Sequence, residues 1–139
     1  MRFKKPIVKL PKDMDEECVS LCKTLNLLPG IYTQASCCGH LKEPFRIFFR
    51  CSSFTSLAVL ARAVDHRYCG MSKVWGVLAE TVDKEPRFNF QLTSVVAYNS
   101  KEEMDKDVEM LIKNIKYWVD NYWDYFKTNG EIRYEYKII

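Results

Sequence analysis

Apolar residues recur at two different spacings along this chain, and the two spacings predict helices and strands. From residue 14 to residue 28 they recur every three or four positions, which predicts a helix with one buried face. Asp13 is suited to cap the start of this helix, and Pro29-Gly30 to end it. A second helix of the same kind, with Phe54 on its buried face, is predicted from about residue 54 to residue 64.

Alternation of apolar and polar residues predicts four strands. Residues 31–36 and 45–51 form one pair, and the short connection between them predicts a hairpin. Residues 73–82 and 87–93 form a second pair. The first strand of this second pair is apolar on both faces, which predicts a central position in the sheet. The second has one apolar face and one polar face, which predicts a half-buried strand.

A long amphipathic helix is predicted from residue 101 to residue 127, after a capping Ser100. Its broad aromatic stripe predicts a homodimer through this helix. Residues 132–138 predict a short final strand, and the prolines within residues 1–12 predict an extended arm. The order of helix, strand pair, helix, strand pair, long helix and short strand predicts a single α+β domain. Its mostly antiparallel sheet is expected to be covered by helices on one face.

Length and composition narrow the class of protein. A chain of 139 residues suits one domain, and 47% apolar with 28% charged residues is typical of a globular protein. The net charge of +3 neither requires nor excludes nucleic acid. No apolar run approaches the roughly 20 residues of a membrane helix, so we expect no membrane partner. The chain starts without a signal-peptide pattern, so its six cysteines are expected to be reduced in the cytoplasm.

The candidate functional residues concentrate in residues 33–50, TQASCCGHLKEPFRIFFR. A glycine after two adjacent cysteines predicts a turn with positive φ. Exposed amide groups in such a turn, beside serine, cysteine and histidine side chains, can hold an anion. We therefore predict a ligand site here, with positive charge supplied by a nearby strand. Its members are Thr33, Ser36, Cys37, Cys38, Gly39, His40 and Arg46.

Several alternatives stay open for this stretch, including whether the protein is an enzyme. Cys37 or Cys38 paired with a histidine and an orienting acid would form a cysteine nucleophile. Together with His40 and Cys51, the same two cysteines have ligand chemistry for a structural zinc ion. The chain is also consistent with a non-enzymatic interaction protein, for example from a mobile element, with the long helix as its interface. The residues alone assign neither a catalytic group nor a metal ligand.

Three short motifs carry a family resemblance. Thr33-x-Ala35-Ser36-Cys37-x-Gly39-His40 resembles the T-x-S-S-C-x-G-R motif of the tRNA wybutosine-synthesising protein three family. Glu43-Pro44-Phe45-x-Ile47 is similar to that family's E-P-F-x-I strand, and Gly70-Met71-Ser72 to part of its glycine- and serine-containing loop. The resemblance spans about residues 31–95.

This resemblance implies a fold and a reaction. The family transfers a methyl group from S-adenosylmethionine to a tricyclic guanosine derivative in phenylalanine tRNA. The resemblance implies that Ser36, Cys37 and Gly39 lie at the motif loop, with His40 in the place of the family's arginine. It makes S-adenosylmethionine the implied cofactor, and it favours a nucleotide or RNA as the ligand.

Overall fold

The computed structural model describes Leu10 and residues 14–82 and 84–125. The elements are α1 (Glu16–Leu25), β1 (Ile31–Cys37), β2 (Arg46–Cys51), α2 (Phe54–Val64), β3 (Trp75–Val82), β4 (Glu85–Ser94) and α3 (Lys101–Tyr125). A short 3-10 turn, Gly39–Leu41, lies between β1 and β2. This order confirms the predicted single α+β domain. The predicted final strand, and all of the predicted arm except Leu10, lie outside the described residues.

The four strands form one antiparallel sheet in the order β1-β2-β4-β3. β1 and β2 pair as the predicted hairpin, with an irregularity between Thr33 and Ala35. β4 pairs with both β2 and β3, so β3 lies at the edge of the sheet. The prediction that β3 is central was therefore wrong. Its outward side is not covered, since Leu78 is 54% exposed and Val74, directly before the strand, is 45% exposed.

The core lies between the sheet and the helices. α1 packs on β1, α2 packs on β2 and β3, and α3 packs against both other helices. Along β2, Ile47 and Phe49 are fully buried whereas Arg50 is exposed, as the alternation predicts. Every helix and strand contributes at least one buried large side chain to this core, and β3 contributes Trp75. Examples are Leu21, Leu25, Ile31, Leu60, Leu92, Leu111 and Ile115.

The helix ends follow their capping residues, with one difference from the prediction. Ser53 caps α2 by accepting a hydrogen bond from the Ser56 amide at 3.1 Å, and Ser100 accepts one from the Glu103 amide at 3.1 Å. The N-cap of α1 is Asp15 rather than Asp13, which lies outside the described residues, and the Asp15 side chain makes no capping bond. α1 ends at Leu25, before the predicted stop at Pro29-Gly30.

A buried hub of hydrogen bonds ties α3 to the segment before β3. Asp107, 3% exposed, accepts from the Ser72 amide at 2.7 Å, the Ser72 hydroxyl at 2.9 Å and the Lys73 amide at 3.0 Å. The Tyr98 hydroxyl also donates to Asp107 at 2.6 Å, and it accepts from Trp75 Nε1 at 2.6 Å. Burial and the contact with Asp107 raise the pKa of Tyr98. Every polar group of this hub thus has a structural role.

The inner stripe of α3 is used by the domain's own core. Met104, Val108, Leu111, Ile115 and Val119 are buried there, whereas Tyr117 is 54% exposed. The burial of these side chains within one chain does not test the predicted dimer through α3. Within residues 14–82 and 84–125, no helix is long and apolar enough to cross a membrane.

Candidate functional site

The connection between β1 and β2 is a tight left-handed turn. Gly39, His40 and Leu41 have φ angles of 82°, 52° and 61°, a region that residues other than glycine rarely adopt. The amides of Lys42 and Glu43 donate to the Gly39 carbonyl at 2.9 and 3.0 Å. A Cβ on Gly39 would lie 2.9 Å from the Pro44 carbonyl oxygen. The predicted turn that requires glycine is therefore confirmed.

This turn brings together three side chains that carry metal-ligand atoms, which we call the loop cluster: Asp15, Cys37 and His40. One ligand atom from each lies within 4.8 Å of the other two. Asp15 Oδ2 accepts from the Cys38 amide at 3.1 Å and lies 3.6 Å from His40 Nε2. Asp15 was not predicted, because α1 packs on β1 and thereby carries the start of the helix to the far end of the strand.

The predicted site residues separate into two groups. Cys37, Cys38, Gly39 and His40 come together in the turn. Arg46 faces Cys37 across the hairpin and pairs with Glu43 at 3.2 Å, in an exposed position. Thr33 and Ser36 do not face this turn.

Thr33 and Ser36 have roles in packing. The Asn26 side chain donates to Thr33 Oγ1 at 2.9 Å and accepts from the Thr33 amide at 3.0 Å, which ties the end of α1 to β1. The buried Ser36 Oγ lacks a hydrogen-bond partner of ordinary geometry among the described residues. Burial raises the pKa of Cys18 to about 12 and that of Cys22 to about 11, and the adjacent Ser36 hydroxyl only moderates both shifts.

The structure bears on two of the alternatives for this stretch, the cysteine nucleophile and the structural zinc ion. Burial raises the pKa of Cys38, so its thiol is poorly suited to act as a nucleophile. Cys51 does not complete the suggested zinc set, because its Sγ donates to the Ser53 carbonyl at 3.2 Å at the other end of β2. None of the six cysteines, all within the described residues, forms a disulfide.

A second feature, which we did not predict from the sequence, lies at the opposite end of β1 and β2. It is a cleft of about 650 Å³ between the start of α2 and strands β3 and β4. We call it the aromatic cleft. Its apolar and aromatic lining includes Tyr32, Phe54, Leu57, Phe88 and Phe90.

The rings of the aromatic cleft are unusually accessible. Phe54 is 53% exposed and Phe88 is 61% exposed, although both were predicted to be buried. The α2 helix buries Thr55 and Ser56 instead, which turns Phe54 outward. Phe88 packs against Phe90, with their ring centroids 6.3 Å apart. The prediction that Phe88 is buried was therefore wrong, since more than half of its side chain is exposed.

Positive charge lies beside these rings. Arg50 lies opposite Tyr32 in the β1–β2 pairing, and both residues line the cleft together with Arg87. Arg50 is exposed and makes no ion pair or side-chain hydrogen bond within the part of the chain that the structure describes. Among the side chains that the structure describes, which exclude those of Asp83 and Glu85, no carboxylate lines the cleft. The site therefore combines aromatic surface with the unpaired positive charge of Arg50.

Another cleft, of about 750 Å³, lies near the start of α3. Its lining mixes the acids Glu102, Glu103 and Glu109 with Lys106 and Lys113, and no described aromatic side chain lines it. Asp107 reaches this cleft, but its oxygens already accept the hydrogen bonds of the hub. Opposite charges side by side give no clear preference for a ligand of either sign, so we assign no ligand to this cleft.

No protein-family model matches this chain, and neither a curated protein nor a solved structure matches it. The resemblance to the wybutosine-synthesising family therefore stays a prediction.

Proposed function

We propose that this domain binds a nucleotide, either free or as part of an RNA strand, in the aromatic cleft. The volume of about 650 Å³ lies within the range of about 300–1,000 Å³ that is typical of ligand pockets. Such pockets are mostly apolar, with a few polar groups that fix the orientation of the ligand. The aromatic cleft has this composition.

The observation that carries the proposal is the juxtaposition of Arg50 with the exposed rings of Phe54 and Phe88. A base can stack on an aromatic ring, and an arginine can bind a phosphate through two parallel hydrogen bonds. An unpaired guanidinium beside exposed rings matches both halves of a nucleotide. A purely apolar ligand would use the rings and gain nothing from the arginines.

This proposal keeps the predicted class of ligand and changes its place. The predicted site residues lie at the loop end of the hairpin, whereas the cleft lies at the other end. Arg46 and Arg50 are both on β2, and a strand rise of about 3.3 Å per residue separates them by about 13 Å. The loop offers only one exposed ring, that of His40, for stacking. The two arginines therefore distinguish the loop from the cleft.

S-adenosylmethionine, the cofactor that the resemblance implies, fits the cleft only in part. Its adenine could stack on the same rings. Its sulfonium is a cation, however, and no carboxylate among the described side chains lines the cleft to balance that charge. The unpaired Arg50 favours an anionic ligand instead. We therefore propose binding without assigning methyl transfer, and the proposal leaves enzymatic turnover aside.

Calorimetric titration of the full chain with adenosine and guanosine monophosphates, and with short single-stranded RNA, tests the proposal. Loss of one stacked base contact costs about 1–3 kcal/mol, so Phe88→Ala should weaken binding roughly 5- to 150-fold. Arg50→Gln should weaken binding and lower the salt dependence by about 0.7 in logarithmic slope per lost phosphate contact on RNA.

Two matched variants serve as controls. Arg46→Gln removes an arginine from the loop end of the same strand, and Tyr68→Ala removes a ring that is 57% exposed elsewhere. Both should bind as the wild type does. If Arg46→Gln abolishes binding and Arg50→Gln does not, the ligand lies at the loop. If none of these ligands binds, the proposal fails.

We further propose that the protein forms a homodimer through α3 and is cytoplasmic with reduced thiols. The exposed Tyr117 on α3 supports the first of these proposals, since exposed aromatic side chains are enriched at interfaces. The dimer does not require the aromatic cleft, which lies near α2. The two proposals can therefore be tested separately.

A further inference from the structure

We propose that the loop cluster of Asp15, Cys37 and His40 binds a divalent transition-metal ion, with Zn²⁺ as the ion that best fits its ligands. This site is at the opposite end of the β1–β2 hairpin from the aromatic cleft and does not depend on nucleotide binding. One ligand atom from each of the three residues lies within 4.8 Å of the others. The three side chains come from the N-cap of α1, the last residue of β1 and the turn that follows it.

The behaviour of Asp15 is the first argument. An aspartate at an N-cap normally bonds to amides in the first turn of its own helix. Asp15 occupies the N-cap of α1 but makes no side-chain capping bond. Its Oδ2 instead accepts from the Cys38 amide at 3.1 Å and faces His40 Nε2 at 3.6 Å. The carboxylate is thus held over the turn rather than over its own helix.

The orientation of His40 is the second argument. Its Nδ1 lies 3.6 Å from Cys38 Sγ, which leaves Nε2 directed toward Asp15. A second contact on the other ring nitrogen commonly fixes the orientation of a metal-binding histidine. The backbone holds His40 at a φ of 52°. Residues in sparsely populated backbone regions often occur at functional sites, where the surrounding structure maintains them.

The surroundings of Cys37 are the third argument. The Gly39 amide donates to Cys37 Sγ at 3.4 Å, a contact that favours the negative charge of a bound thiolate. Cys37 is half-buried, so its sulfur is neither hidden in the core nor fully solvated. The left-handed turn at Gly39 is what directs this amide back toward the sulfur.

The spacing fits a tetrahedral ion after a small contraction. Zinc bonds of about 2.0–2.3 Å place neighbouring ligand atoms of a tetrahedron roughly 3.3–3.8 Å apart. The Asp15–His40 separation of 3.6 Å already has this value. The His40 side chain is 66% exposed and has room to adjust. Three protein ligands leave a fourth position for water or a ligand, which distinguishes this site from a closed structural zinc site.

The ligand set selects among metals. A thiolate and an imidazole favour zinc and similar ions, whereas Mg²⁺ and Ca²⁺ prefer oxygen ligands throughout. Cys38 is not a fourth ligand in this arrangement, because its sulfur contacts His40 Nδ1, the ring nitrogen that does not face Asp15. It acts as a positioning residue for that ring.

The test is a Zn²⁺ titration of the full, reduced, metal-free chain in competition with a chromophoric chelator, together with Co²⁺ absorption spectra. We expect one equivalent to bind, with a thiolate-to-cobalt charge-transfer band. Cys37→Ser should abolish the band, and His40→Ala should weaken Zn²⁺ affinity at least tenfold. Cys51→Ser and His66→Ala, which change the same residue types outside the cluster, should bind as the wild type does.

The proposal is overturned if the wild type binds less than one equivalent, or if Cys37→Ser and His40→Ala retain wild-type affinity. Because His40 is exposed, His40→Ala should fold even if Cys37→Ser does not, and circular dichroism checks this. If Mg²⁺ competes with Zn²⁺ at equal concentration, the site is not the thiolate–imidazole site proposed. Nucleotide binding by the aromatic cleft is measured separately and is expected to survive both substitutions.

Discussion

Substitution of Asp107 by asparagine should destabilise the domain more than any single surface change. The carboxylate accepts four hydrogen bonds, and Tyr98, which donates one of them, also accepts from Trp75. An asparagine side chain has only one accepting oxygen. In its better orientation that oxygen takes the place of Oδ2 and keeps three bonds, while the amide nitrogen faces the Ser72 amide and loses the fourth.

The magnitude follows from these contacts. Three bonds that change from charged to neutral acceptors lose about 1 kcal/mol each, and one unsatisfied donor costs about 1–3 kcal/mol. Relief of the cost of burying a charge offsets part of this loss. We expect a net loss of about 3 kcal/mol, which for a domain of this size lowers Tm by roughly 10 °C.

Thermal and urea unfolding followed by circular dichroism measure the effect. The control is Asp105→Asn, two positions earlier on α3, which removes only an exposed pair with Lys101 and should change stability by less than about 0.5 kcal/mol. Tyr98→Phe should give an intermediate loss. Surface changes usually alter the free energy of unfolding by no more than about 0.5 kcal/mol. If Asp107→Asn differs from the wild type by no more than this, the hub does not hold α3 to the segment before β3.

Three further predictions follow from the same structure. Gly39→Ala should cost at least about 2 kcal/mol because of its positive φ and the contact with Pro44, whereas Gly76→Ala, with open space at its Cβ, should be tolerated in the same melting assay. Because the pKa values of Cys18 and Cys22 are raised, their contribution to stability is complete below the ordinary thiol pKa of 9.0 and falls as pH rises toward 11. The free energy of unfolding, measured in urea, should fall by up to about 1.4 kcal/mol per pH unit for each thiol. Cys22→Ala should remove the contribution of one thiol to this slope. Equilibrium sedimentation at tens of micromolar should give twice the chain mass of 16.4 kDa, and a clean monomer would contradict the α3 dimer.

Local patterns in the sequence predicted most of the fold, because side-chain alternation along a strand and capping of a helix depend on residues that are close in sequence. The alternation along β2 correctly placed Ile47 and Phe49 in the core, and Ser100 was correctly identified as a cap. The order of the strands was not predicted correctly. Apolar residues on both faces of β3 do not reveal whether a neighbour covers them, and in this sheet the outward side of Leu78 is open.

The same distinction between local and distant contacts applies to the candidate sites. Cys37, Gly39 and His40 are close in sequence, so their meeting in one turn was predictable. Asp15 joins them only because α1 folds back along β1. No local pattern in the sequence reveals that packing. The aromatic cleft depends on α2 burying Thr55 and Ser56 so that Phe54 turns outward. Hydrophobic periodicity predicts that a phenylalanine is buried and cannot detect this rotation.

The central claim is that the aromatic cleft is the nucleotide site. Its most direct test is a map of backbone amide shifts in the isotope-labelled chain during titration with a nucleoside monophosphate. The account predicts shifts that saturate together at residues 30–32, 50–54 and 87–90, with little change at residues 37–46. Saturating shifts confined to residues 37–46, or no saturating shift at any concentration, would contradict it.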